Sequence, residues 1–195
     1  KIESNFSAPA RGKPFQILSV GRISPEKQQL FVLNFLTRFH ADNPHLPFVC
    51  KFIGGFNVSS PGYAEKFSDA LRCSPPGLFS HSSFLPNNEV QSLMRLSHVF
   101  VSATDGENFG HAIYEAIANS MLLLIRDTTP FLELSRFNLG VNVSGLNVSD
   151  WSDALLRLFT DPLFWNPSER NPSGYLQYLN FGTDSRQLYK RMLHL

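Results

Sequence analysis

Two carboxylates, Glu107 and Glu115, flank seven residues in the run Asp105-Gly106-Glu107-Asn108-Phe109-Gly110-His111-Ala112-Ile113-Tyr114-Glu115-Ala116. Asn108 is a competent N-cap, and every residue from Phe109 to Asn119 can continue a helix, so the spacing predicts a helix beginning at Phe109. Glu107 then stands just ahead of that helix, with Glu115 on the order of 12 Å further along its axis at ~1.5 Å per residue. The free amides of Phe109, Gly110 and His111 would lie between the two carboxylates. Together with the positive end of the helix dipole they form an anion site, with hydroxyl acceptors at either end. A phosphate centre with hydroxyl-rich ends is the shape of a nucleotide sugar. His111 could bring its imidazole to the same phosphate, although a histidine at such a place also serves structure.

A second constellation is Gly21-Arg22-Ile23-Ser24-Pro25-Glu26-Lys27, directly after an apolar run. Gly21 permits a tight turn, and Arg22 and Lys27 set two cations at a strand end, suited to a diphosphate.

The elements that must position these groups alternate along the chain. Strands are expected at Phe15–Val20, Phe48–Ile53, Leu78–His81, Val99–Ser102, Leu122–Ile125 and Leu139–Val143. Helices are expected at Pro25–Ala41 with Ser24 as N-cap, Tyr63–Leu71, Glu89–Leu96 with an Asn88/Gln91 capping box, Phe109–Asn119, Asp150–Phe159 and Thr183–Leu193. Strict alternation argues for an α/β domain built on a Rossmann-like, doubly wound parallel sheet, which binds ligands beyond the carboxyl ends of its strands. The singled-out residues fall at those ends. Residues 1–14 are polar and contain Pro and Ser, and read as an interdomain linker remnant ahead of a domain over 15–195. A chain opening this way without Met looks like a piece of a longer protein.

Composition narrows the classes. In 195 residues, 43% hydrophobic, no apolar run is long enough to cross a bilayer. With a net charge of +1 and no basic stripe, nothing points to nucleic acid. The two cysteines, Cys50 and Cys73, sit in a strand and at a helix end, which suggests reduced thiols and a cytoplasmic location. Four Asn-x-Ser triplets, at Asn5, Asn57, Asn142 and Asn147, arise readily by chance in such a sequence. There is neither an Asp-x-Asp element nor a His/Cys cluster at metal spacing, so no metal and no cofactor is expected. Gly-x-Gly-x-x-Gly and Gly-Lys-Ser/Thr loops are missing too, which disfavours dinucleotide oxidoreductases and P-loop NTPases.

The run from Glu107 to Ala118 resembles the Glu-x7-Glu motif of retaining GT-B glycosyltransferases, family 4 in particular, with its Glu-Asn-Phe-Gly start and Glu-Ala-x-Ala continuation. Val20-Gly21-Arg22 with Lys27 is similar to the phosphate loop opening their C-terminal, donor-binding lobe. The likeness covers roughly Phe15 to Leu195, one of the two lobes such enzymes possess. By this resemblance Arg22 and Lys27 grip the donor diphosphate, Glu107 serves the transferred sugar, and Glu115 holds the ribose hydroxyls. Asn108, Phe109, Gly110 and His111 line the donor site. Gly54 and Gly55 match a Gly-x-Gly position that brings backbone close to the ligand, and Phe84 and Leu85 stand where the nucleobase is cradled. The implied partners are a nucleoside-diphosphate sugar and an N-terminal lobe holding a saccharide or lipid-linked acceptor. That other lobe leaves a peripheral membrane association open.

Departures from the pattern are local. Ser120 replaces the helix-terminating Gly and Leu122 a Pro, with Asn119 or Ser120 expected to end the helix in its place. Arg126-Asp127-Thr128-Thr129-Pro130-Phe131 is similar to a Ser-Asp-x-Thr-Pro-Trp segment of bacterial members. A non-catalytic nucleotide-binding module and a sugar-nucleotide epimerase of similar architecture remain alternatives at this point.

Overall fold

A computed structural model describes residues 8–10, 12–107 and 109–181. Its sheet comprises β1 (Phe15–Val20), β2 (Phe48–Ile53), β3 (Phe79–Ser82), β4 (Val99–Ser102), β5 (Leu122–Arg126) and β6 (Gly140–Val143). The helices are α1 (Gln29–Asp42), α2 (Pro61–Arg72), α3 (Asn87–Leu96), α4 (His111–Ala118), α5 (Val148–Thr160), α6 (Pro162–Trp165) and α7 (Pro172–Phe181). All strand pairs are parallel, in the order β3-β2-β1-β4-β5-β6. The order reverses between β1 and β4, and in open sheets of this kind the ligand crevice lies outside the carboxyl ends of the strands at that point.

Strands buried on both faces read as unbroken apolar runs, which is why Leu122-Leu123-Leu124-Ile125 is a strand despite lacking alternation. Leu122 and Leu124 pack into a layer rich in aromatic rings, with Phe15, Phe35, Phe39, Phe48, Phe67 and Trp151. Leu123 and Ile125 face a mainly aliphatic layer with Met94, Ile113, Ile117 and Tyr175. In the first layer the rings of Phe15 and Phe159 stack at 3.7 Å. Burial pushes the Cys50 thiol up on the same side, and Cys73 is a free, exposed residue at the end of α2.

Several expected boundaries shift, each for a local reason. The expected helix over 25–41 is broken: a 3-10 turn, Pro25–Lys27, stops at Gln28 with φ 56°, and α1 begins afterwards. Ser24 makes no side-chain cap there. Helix α3 starts at Asn87 behind Pro86, so Asn88 is inside the helix and Gln91 is released from the expected capping box. The third strand runs from Phe79, one residue later than Leu78. Asn147, whose side chain accepts from Ser149 N at 2.8 Å, starts α5 two residues before Asp150. Helices α6 and α7 fall in a stretch to which no expected element was assigned. The expected helix over 183–193 lies outside the described residues, as do residues 1–7 and 11 of the expected linker.

Candidate functional site

The loop after β1 is held by main chain on one side. Gly21 N donates to Ile53 O at 2.9 Å and Ile23 N to Gly55 O at 2.9 Å. Gly54, at φ 147°, lies so close that a Cβ there would come within 2.1 Å of Gly21 O, so the steric demand for glycine after β2 falls on Gly54 and is set by the neighbouring loop. Gly55 has room for a Cβ, whose nearest neighbour would be Ser83 O at 3.6 Å. From below, the buried Gln29 accepts from Ser24 N at 3.2 Å and donates to Arg22 O at 2.7 Å. This satisfies polar groups of the turn and leaves the Arg22 side chain exposed. Arg22 forms no ion pair among the described residues. It lies near Glu26, whose carboxyl is held below its usual range by the Ser24 side chain first and by main-chain hydrogen bonding and the Arg22 charge after that.

The loop after β4 is stitched to this one. Glu26 O accepts from Asp105 N at 2.8 Å and from Thr104 Oγ1 at 3.2 Å. Gln28 Nε2 donates to Asp105 Oδ2 at 3.0 Å, and Arg126, at the end of β5, pairs with Asp105 Oδ1. Thr128 Oγ1 donates to Thr104 O at 2.6 Å. Three strand ends are thereby gathered into one floor, on which Lys27 Nζ meets Glu107 Oε1 at 2.6 Å, 80 residues apart in sequence. With their side chains 26% and 19% exposed, this pair is only partly shielded from solvent.

Helix α4 begins at His111, two residues later than expected, with Gly110 at φ 60° as its N-cap. The left-handed turn suits glycine, and the buried Phe131 ring, whose Cε2 would stand 2.4 Å from a Cβ, leaves no room for a larger residue. The first intrahelical bond runs from Tyr114 N to Gly110 O at 2.9 Å. The amides without a partner inside the helix are therefore those of Gly110, His111, Ala112 and Ile113; of the three expected, only Phe109 falls outside the set. Asn108 lies outside the described residues. Phe109 and His111 are both exposed, their rings stacked at 5.5 Å. At the far end of the helix Ser120, at φ 60°, takes the left-handed position where Gly was expected by resemblance, while Asn119 stays at φ −89°. Arg170 Nη2 donates to Ser120 O at 2.7 Å, and burial brings that guanidinium down to about 10.

Glu115 is half-buried on α4, its Oε2 accepting from Gln91 Nε2 at 2.9 Å. Leu85 borders a shallow groove with Lys51, Glu89, Ser92, Leu93 and Leu96. The structure thus joins Lys27 to Glu107 directly and sets Gly21 and Arg22 in the turn that leads to Lys27, while Gly110 caps α4 beside Phe131. Gln29, Gln91, Asp105 and Arg126 were missed by the sequence reading. Only the polar identity of Gln29 in an apolar helix stripe could have signalled one of them.

Among the described residues no three His, Cys, Asp or Glu side chains gather as metal ligands. None of their helices is long and apolar enough to cross a membrane.

Residues 1–174 match the family model of the glycosyl transferases group 1, and the chain belongs to that family. No curated protein matches it in sequence. Among solved structures it is similar to the C-terminal domain of a glycosyl transferase group 1 family protein, LpcC, from Francisella tularensis, at 17% identity and TM-score 0.71, covering 89% of this chain and 95% of that one. A UDP-forming α,α-trehalose-phosphate synthase from Burkholderia xenovorans matches at 15% identity and TM-score 0.70, over 94% of this chain and 44% of that one. Anabaena Alr3699/HepE, in complex with UDP and glucose, matches at 14% identity and TM-score 0.69, over 93% and 47%. At these identities the likeness speaks to fold, which is that of the C-terminal lobe of GT-B glycosyltransferases. The chain spans less than half the length of the trehalose-phosphate synthase and of Alr3699/HepE.

Proposed function

We propose that this chain is the donor-binding lobe of a retaining, metal-independent glycosyltransferase of the family 4 kind, which moves a sugar from a nucleoside diphosphate to a saccharide or lipid-linked acceptor. The observation that carries this reading is the 2.6 Å contact between Lys27 Nζ and Glu107 Oε1 at the crevice between β1 and β4. It brings a cation suited to a diphosphate and a carboxylate suited to a sugar within one residue's reach of each other.

In the proposed reaction the bond between the anomeric carbon and the diphosphate oxygen breaks with its electron pair leaving on the diphosphate, the acceptor's hydroxyl oxygen bonds to that carbon, and the hydroxyl proton passes to the departing diphosphate oxygen. Lys27, Arg22 and the free amides of His111, Ala112 and Ile113 stabilise that developing negative charge. Glu107 stabilises the positive charge growing on the sugar and accepts from its hydroxyls. Glu115 accepts from the ribose diol, while Gly21, Gly55, Leu85, Asn108, Phe109 and Gly110 shape the pocket. The acceptor is held by an N-terminal lobe, and the chemistry waits for the cleft between the lobes to exclude water. Residues 1–195 alone are accordingly expected to bind a nucleotide weakly and to transfer nothing. The cytoplasm, with peripheral attachment to a membrane through the other lobe, is the proposed setting.

Calorimetry with UDP, GDP and ADP, in EDTA, tests the reading. One of the three is expected to bind the wild type, with affinity at least about tenfold weaker in Arg22→Ala and Glu115→Ala, the loss of one charge-assisted hydrogen bond. Binding to none, or binding unchanged in both variants, would place the chain among non-catalytic modules.

A further inference from the structure

Glu115 does not choose its own orientation. Asn119, one turn further along, donates from Nδ2 to the main-chain O of Glu115 at 2.9 Å and to Gln91 Oε1 at 2.8 Å. A main-chain carbonyl only accepts, so the first contact determines which end of the Asn119 amide is the NH2 group. Its second hydrogen is directed to the Gln91 oxygen, the nearer of two acceptors, with Met94 Sδ at 3.9 Å. The remaining end of Gln91 is its nitrogen, which donates to Glu115 Oε2 at 2.9 Å. The series begins and ends on one residue, and each amide orientation is dictated by the one before it. Oε1 of Glu115 has no protein partner among the described residues.

We propose that Gln91 and Asn119 are positioning residues for Glu115: Gln91, oriented by Asn119, occupies Oε2 with a neutral donor and leaves Oε1 for a hydroxyl of the ligand's ribose. This rests on the donor-site reading for the identity of the ligand, but the amide series itself does not. The two residues lie on different helices, α3 and just beyond α4, so the arrangement also makes the approach of α3 a condition for productive ribose binding.

The test uses the full-length protein with whichever of UDP, GDP and ADP binds, and with its 2′-deoxy analogue. Wild type is expected to prefer the ribonucleotide. Gln91→Leu should weaken ribonucleotide binding by about tenfold, one hydrogen bond's worth, and bring the ribo-to-deoxy ratio toward one without lowering the thermal midpoint to match. Asn119→Asp offers acceptors where donors stood, turns the Gln91 oxygen toward Glu115, and should be worse than Asn119→Ala. A ratio unchanged in Gln91→Leu, or Asn119→Asp no worse than Asn119→Ala, would overturn the proposal. If wild type binds no nucleotide, the donor reading fails and the ribose role with it. The amide series is then judged by the Gln91 side-chain NH2 resonances in ¹H–¹⁵N spectra: exchange protection lost in Asn119→Ala upholds it, and absence of protection in wild type overturns it.

Discussion

Glu107 and Glu115 are the same side chain held in two ways. Glu107 sits on a loop and is neutralised by Lys27, on a floor where Arg126 and Asp105 form a second ion pair. Glu115 sits on a helix, its carboxylate accepting from Gln91 and its main-chain oxygen from Asn119, with no ion pair among the described residues. The difference is one of timing. In the proposed function a charge already paired exchanges partners when a diphosphate arrives, in a partly solvated place where salt competes. A carboxylate positioned by a neutral amide has no ion pair to exchange. One end of the site is therefore adaptable and the other preformed.

The largest effect should come from the joint between the two. Gly110→Val puts a branched side chain at φ 60° against the Phe131 ring. It is expected to lower unfolding free energy by about 2–4 kcal/mol in urea denaturation, the sum of backbone strain and overpacking. A loss under about 1 kcal/mol would show that the loop can turn another way and that the carboxylates are not linked through it.

Next is Lys27→Met. Nucleotide affinity at low salt should fall by about tenfold, and its dependence on ionic strength should flatten, while Gln91→Leu retains the wild-type salt slope. Equal slopes in the two variants would dissolve the contrast. Stability should move by no more than about 1 kcal/mol in Lys27→Met, because the pair is partly exposed.

The smallest effect concerns only the helix bearing Glu115. Ser120 is left-handed with its Oγ buried and without a hydrogen-bond partner among the described residues. Ser120→Gly should raise stability by about 0.5–1 kcal/mol and leave nucleotide affinity unchanged. A lower thermal midpoint would show that the serine is better accommodated than its conformation suggests.

These contrasts also mark what could be read without coordinates. The strands were legible because a doubly buried strand has no choice but to be apolar, as in Val99–Ser102 and Leu122–Arg126. The chemistry-bearing motifs were legible because residue type and short spacing carry them. Helix starts were misjudged where a competent capping residue stood beside a stronger determinant. Asn88 lost to Pro86, and the Phe109 start was moved by the turn at Gly110 against Phe131. Gln28 could not be foreseen as a break, since nothing in glutamine favours the left-handed conformation; its N–H closes the 3-10 turn on Pro25 O and its side chain bonds Asp105.

The order of residue types alone determined an alternating α/β chain, a parallel sheet, and cations and carboxylates at strand ends, because burial and turn formation are local demands written in composition and period. Only the tertiary structure decided which groups meet. Lys27 and Glu107 are separated by 80 residues, and Gln91 and Glu115 by 24. Their contacts depend on how strands β1 and β4 and helices α3 and α4 lie side by side, and no short stretch of sequence contains both partners.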